Sequence, residues 1–101
     1  MNYRELFERL AECQLPAGVE IDFDGISPEY WESPTFCRSA LMLIVDAMRK
    51  EGWAFEFADP LPDGGNYNVR AFRGEQIVSR HSDDEVTAIA ECLIAALGVK
   101  E

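Results

Sequence analysis

The stretch Gly52-Trp53-Ala54-Phe55-Glu56-Phe57, "GWAFEF", is where the chain changes period. Before it, apolar residues recur at helical spacing. Within it, aromatics occupy alternate positions. Alternation puts Trp53, Phe55 and Phe57 on one face of a strand and Ala54 and Glu56 on the other. A Gly just past the last helical turn accepts the left-handed backbone that ends a helix. "GWAFEF" therefore reads as a helix terminus followed at once by a strand whose apolar face needs a cover.

Upstream, the spacing predicts a helix starting at Ser33, with Ser as cap and Pro34 at the first helical position, where a missing N–H costs nothing. Cys37, Leu41, Ile44, Val45 and Met48 form one face, widened by Phe36, Ala40 and Ala47. Arg49 and Lys50 complement the negative helix end. Downstream, Asp59 to Asn66 is a turn-rich loop. Tyr67 to Phe72 and Gln76 to Arg80 read as two more strands around a tight turn at Arg73-Gly74-Glu75. Ser82-Asp83-Asp84-Glu85 reads as a capping box, and Val86, Ile89, Ala90, Leu93, Ile94 and Leu97 form the stripe of a closing helix that Gly98 stops. At the other end, residues 2–14 read as an amphipathic helix capped by Asn2 with Glu5 three places on, its stripe being Tyr3, Leu6, Phe7 and Leu10. Leu15-Pro16-Ala17-Gly18 ends it.

These elements make an α+β fold: a three-stranded antiparallel β-meander packed with helices in the order α-α-β-β-β-α, in a single compact domain. A length of 101 residues fits one hydrophobic core. Within it, 1–33 is a helix plus an acidic segment and 34–98 is the α+β core.

From Pro34 to Gly98 the pattern resembles the phage ABA-sandwich domain family. The features that carry it are the helix running into "RKEGWAFEF", the Gly-rich hairpin, "YNVRAF", a short strand, and the Ala-rich closing helix "DDEVTAIAECLIAAL". The resemblance covers about two thirds of the chain and implies a small α+β sandwich of phage or prophage origin. It implies no activity and no catalytic residues, and residues 1–33 fall outside it.

Composition limits the function classes. Nine Lys and Arg face nineteen Asp and Glu, a net charge of −10. Such a chain is repelled by nucleic acid, whose affinity for proteins comes largely from Lys and Arg neutralising phosphates, and by anionic membrane surfaces. The helix, three strands, helix order is also that of double-stranded RNA-binding domains. Those need a basic stripe, and this closing helix opens on three acids. The longest apolar run, Ala40 to Val45, is far short of the roughly 20 residues of a membrane helix. The N-terminus, Met-Asn-Tyr-Arg-Glu, lacks the apolar region of a signal peptide. Cys13, Cys37 and Cys92 are too few and too scattered for a disulfide framework. They read as reduced, packed thiols, and a cytoplasmic location is expected.

Candidate chemistry is sparse. "EIDFDG", Glu20 to Gly25, has acids at alternate positions and then a Gly, like the front of a calcium loop. Counting from Glu20, position 12 is Trp31 rather than a bidentate acid, and Pro28 stands at position 9. The better reading is a short extended segment with Val19, Ile21 and Phe23 inward and Glu20, Asp22 and Asp24 outward. His81 is the sole histidine; a catalytic base needs a nucleophile or an acid placed beside it, and helix capping accounts for the nearby Asp83 and Asp84. No enzyme, metal or cofactor is expected.

What remains is a binding surface. From Ala11 to Cys37 there are six acids and no Lys or Arg. In the same segment "SPEYWESP" sets Tyr30 and Trp31, residue types enriched at interface hot spots, in a polar setting. Such aromatics also fold back to cap cores. The expected partner-binding residues are Glu20, Asp22, Asp24, Glu29, Tyr30, Trp31 and Glu32. The expected function is a small acidic, non-enzymatic protein-binding module of phage or mobile-element type. The alternative is an anti-CRISPR-like acidic mimic of nucleic acid that inhibits a host defence complex. The partner is then a protein, with a basic nucleic-acid-binding surface in the second reading. A homodimer through a sheet edge or an apolar helix face is a further partner class.

Overall fold

The structure, a computed structural model, describes residues 2–98. These form helix α1 (Arg4–Ala11), a 3₁₀ turn (Pro28–Glu32), helix α2 (Pro34–Lys50), strands β1 (Ala54–Ala58), β2 (Tyr67–Arg73) and β3 (Gln76–Ser82), and helix α3 (Glu85–Leu97). The order and class are those read from the sequence, an α+β single domain with an antiparallel meander β1-β2-β3.

The switch at "GWAFEF" has the expected cause. Gly52 has φ +100, which side-chain-bearing residues rarely adopt. Its N–H and that of Trp53 return to the α2 carbonyls of Arg49 and Met48, and the chain leaves as a strand. β1 then pairs with β2 in the register Phe55↔Ala71 and Phe57↔Val69. β2 and β3 meet at Arg73↔Gln76 across a two-residue turn, in which Gly74 takes φ +61.

The helices cover one sheet face only. Trp53, Val69 and Ala71 on that face are buried, and Phe55 and Val78 half-buried, beneath α2 and α3. Phe57 remains 39% exposed, so the cover stops before the strand does. Arg49 and Arg73 lie over the Phe55 and Trp53 rings at 5.9 and 4.7 Å, screening the aromatic edge by cation–π contact. The opposite face is open, with Glu56, Arg70 and Ser79 in register across it and all exposed. The Arg70–Glu56 pair, 3.9 Å apart and more than half exposed, adds little stability.

α2 buries Cys37, Leu41, Ile44, Val45 and Met48, the face its spacing predicts. Ser33 caps it, its hydroxyl accepting from the Phe36 N–H at 3.2 Å. α3 buries more than one stripe: Ala88, Cys92 and Ala96 are as enclosed as Val86, Ile89 and Leu93. The reason is its central place, against β2 and β3, α2 and α1 at once. Small residues let those neighbours approach closely.

Two helix starts differ from the sequence reading. α1 begins at Arg4, with Tyr3 in the cap position and no side-chain cap. The Tyr3 N–H donates instead to the Trp31 carbonyl at 2.8 Å, and Asn2 Oδ1 accepts only from the Arg4 N–H. The helix also stops at Ala11, short of Gln14, because the Gln14 N–H donates to the Gly98 carbonyl beyond α3. α3 is capped by Asp84, because Ser82 is held in β3 opposite Tyr67.

Asp84 ties the start of α1 to the first turn of α3. Its Oδ2 accepts from the Thr87 N–H and hydroxyl at 2.9 and 2.8 Å, and its Oδ1 accepts from the Tyr3 hydroxyl at 2.8 Å. Burial opposes ionisation of this carboxyl, but the bonds from Thr87 and Tyr3 outweigh it and hold the pKa below the ordinary value. Burial first, and then Asp84, push the Tyr3 hydroxyl up to about 12. A depressed carboxylate pKa contributes stability above the unfolded value, 3.8, that is lost as pH falls through the folded one. Asp84→Ala is expected to cost about 1–2 kcal/mol at neutral pH. Asp84→Asn keeps a good cap but has no proton to exchange, so its denaturant midpoint should fall less than the wild type's between neutral pH and pH about 3.

Candidate functional site

Residues 17–27 form an irregular strap between α1 and the 3₁₀ turn. Its side chains alternate as expected: Val19, Ile21 and Phe23 are half-buried, and Glu20, Asp22 and Asp24 exposed. No strand forms there. The backbone bonds are local, from the Val19 N–H to the Pro16 carbonyl and from the Gly25 N–H to Asp22 Oδ1 at 2.9 Å. "EIDFDG" is thus a turn closed by Asp22. A Cβ on Gly25 would displace the Asp22 carboxylate from this turn. The strap is also fixed to the end of α2, where Glu51 Oε2 accepts from the Ala17 N–H at 3.3 Å.

The 3₁₀ turn separates the two aromatics that the sequence placed side by side. Trp31 points inward and is 1% exposed, whereas Tyr30 is 46% exposed. The Trp31 ring packs on Phe7 and Phe23, with centroids 5.0 and 5.5 Å away, and edge-on to Phe36. Of the expected anchors, Tyr30 alone is on the surface, its ring packed at a tilt of 38° on Phe36 with centroids 4.8 Å apart. Trp31 is a core residue that joins strap, α1 and α2.

The five expected acids, Glu20, Asp22, Asp24, Glu29 and Glu32, are all exposed. Of the cations flanking this stretch in sequence, Arg4 lies over the ring of Phe23 in the strap itself at 5.4 Å, and Arg38 pairs with Glu85 at 2.8 Å.

Between strap and α2 lies a groove of about 540 Å³ that adjacent sequence does not reveal. Phe7 and Trp31 form part of its lining, Val19, Ile21 and Ile26 come from the strap, and Phe36, Ala40, Leu43 and Ile44 from α2. Glu20 and Asp22 are its acidic members. Leu43, 71% exposed midway along α2, is the one signal in the sequence: it is an apolar residue outside the buried face.

Among the described residues no group of three or more His, Cys, Asp or Glu could hold a metal ion, and no helix is long and apolar enough to cross a membrane. His81 is exposed on the open sheet face, opposite Asn68. Cys13, Cys37 and Cys92 are free and buried. Burial raises all three thiol pKa values, those of Cys37 and Cys92 to about 11, where the reactive thiolate is scarce. In the native protein all three are expected to resist a thiol reagent such as DTNB, and to react together once denaturant unfolds the chain.

No protein-family model, curated protein or solved structure matches this chain.

Proposed function

We propose that this chain is a small acidic, non-enzymatic module that binds a protein through the face made by residues 20–32 and the adjoining side of α2. The observation that carries this reading is the clustering of five exposed carboxylates on one basic-free stretch of sequence, beside an apolar groove. Carboxylates so arranged steer a basic surface and fix its register, and the apolar area beside them supplies contact. Tyr30 is the surface aromatic of that face. The resemblance over residues 34–98 supports a phage or mobile-element origin for such a module.

A net charge of −10 on so short a chain, with the acids gathered on one stretch, also supports a narrower reading. In it the acidic face stands in for a phosphate backbone and occupies the nucleic-acid-binding surface of a host defence complex. Affinity capture from host lysate, with and without nuclease treatment, separates the two. Mimicry predicts a basic nucleic-acid-binding protein, captured directly after nuclease treatment and released as salt rises. A partner without such a surface supports the general reading and excludes mimicry. The face itself is tested by charge reversal, argued below.

A further inference from the structure

We propose that the groove between the strap and α2 is a receptor for an apolar side chain carried on a Lys- and Arg-rich segment of a protein partner. This rests on the acidic-face reading above and deepens it: the acids attract the segment, and the groove decides which segment stays.

Three observations converge on it. The groove, about 540 Å³, is within the size range of sites that bind ligands, and most of its lining is apolar. Its lining includes Leu43, 71% exposed, and Phe36, against which the half-exposed Tyr30 packs, so apolar surface continues outward from the cavity. Trp31, which lines the groove and is 1% exposed, has an indole N–H with no acceptor among the described residues. An unpaired buried donor is costly, which marks the groove wall at Trp31 as a place where contact is left unmade.

Charge selects the occupant. Glu20 and Asp22 line the groove, and Asp24, Glu29 and Glu32 extend the acidic stretch. Arg38 is paired with Glu85, and the one cation among the described residues that the structure sets against the strap, Arg4 over Phe23, is outnumbered by the five carboxylates. Anionic ligands such as fatty acids or phosphates therefore meet repulsion, whereas an apolar side chain flanked by cations meets complementary surface on both counts. A helix with apolar anchors on one side and Lys on the other satisfies this geometry, as in other helix-in-groove complexes.

The test uses the full chain with Trp53→Phe, so that Trp31 is the only indole and its emission reports on the groove. The probes are a helical Leu/Lys peptide, a peptide of equal charge with Ser in place of Leu, a Leu/Glu peptide, and the neutral detergent octyl glucoside. The expected result is that the Leu/Lys peptide shifts Trp31 emission and binds at least about tenfold more tightly than the Ser/Lys peptide, the worth of one buried apolar side chain. Ala40→Phe, which fills the groove, should remove most of that advantage. Leu43→Ser, at an exposed position that folding does not need, should reduce it in a protein of unchanged melting temperature. Equal binding of the Leu/Lys and Ser/Lys peptides overturns the groove as receptor but leaves the acidic face standing. Equal binding of the Leu/Glu peptide, or displacement of the Leu/Lys peptide by octyl glucoside below its micellar range, makes the groove a general apolar site and overturns the basic occupant. Failure of both Lys peptides to bind overturns this inference and the acidic face with it.

Discussion

Trp31→Ala is expected to lower stability by about 3–5 kcal/mol, the range for deleting a buried large aromatic. For a domain of this size each kcal/mol moves the melting temperature by about 4–8 °C, so the midpoint should drop by at least about 12 °C. The size of the effect follows from position. The ring is 1% exposed and lies between Phe7 of α1, Phe23 of the strap and Phe36 of α2, while the Trp31 carbonyl receives the Tyr3 N–H. Removing it opens a cavity at the junction of three segments. Trp31→Phe keeps a ring there and removes the indole N–H that lacks an acceptor, so relief of that donor offsets part of the lost volume. Its cost should stay below about 2 kcal/mol. Thermal melts of both variants decide the matter. If Trp31 were an outward-facing interface anchor, both would melt within about 0.5 kcal/mol of the wild type, as surface substitutions do.

The second large effect is on binding. Reversing Glu20, Asp24, Glu29 and Glu32 to Lys takes the net charge from −10 to −2, since each change adds two. Asp22 is left in place because its carboxylate closes the turn at Gly25, and changing it would confuse folding with recognition. The four chosen side chains are exposed, and the structure gives none of them a hydrogen bond or ion pair among the described residues, so the melting temperature should change little. Long-range attraction to a basic partner should collapse, with the association rate falling first, because exposed charges act chiefly through steering. Loss of net charge alone could do the same, so a control is needed. Glu56, Asp59, Asp63 and Glu75 are also exposed and lie on the sheet and its loops. Reversing those four gives the same net charge of −2 with the acidic face intact.

How far the sequence was legible depends on whether a feature is local. α2 could be read whole: Ser33, Pro34, the five buried positions and Gly52 lie within one helix and its two ends. The meander was readable because alternation and the turn at Gly74 are properties of adjacent residues. The start of α3 shifted from Ser82 to Asp84 because β3 competes for Ser82, and strand pairing outweighs a cap that Asp84, two residues on, can supply. α1 came out shorter for a related reason: the Tyr3 and Gln14 N–H groups are taken by Trp31 and Gly98, partners far away in sequence.

The candidate site was half legible. Composition displayed its acids, and the alternation of Val19, Ile21 and Phe23 indicated which of them face out. The inward turn of Trp31 was weighed but not decided, although a signal existed. Ser27-Pro28 repeats the Ser-Pro opening of α2 at Ser33-Pro34, and a helical turn there sends neighbouring side chains in different directions where an extended loop would present both. The groove showed in the sequence only as Leu43, an apolar residue off the buried face of α2, because its lining runs from Phe7 to Ile44 and only the fold brings those residues together.

The central claim is that residues 20–32 and the adjoining side of α2 form a docking face for a basic protein segment. The most direct measurement is the affinity of the captured partner for three proteins: the wild type, the variant reversed at Glu20, Asp24, Glu29 and Glu32, and the charge-matched variant reversed at Glu56, Asp59, Asp63 and Glu75. Titration at about 0.05 M and about 0.5 M salt separates screened from unscreened contributions. The account predicts that reversal of the face weakens binding by at least about a hundredfold at low salt, equivalent to about 2.7 kcal/mol, while the control stays within about threefold of the wild type. Equal weakening of both variants, or wild-type affinity in the variant whose face is reversed, would contradict it.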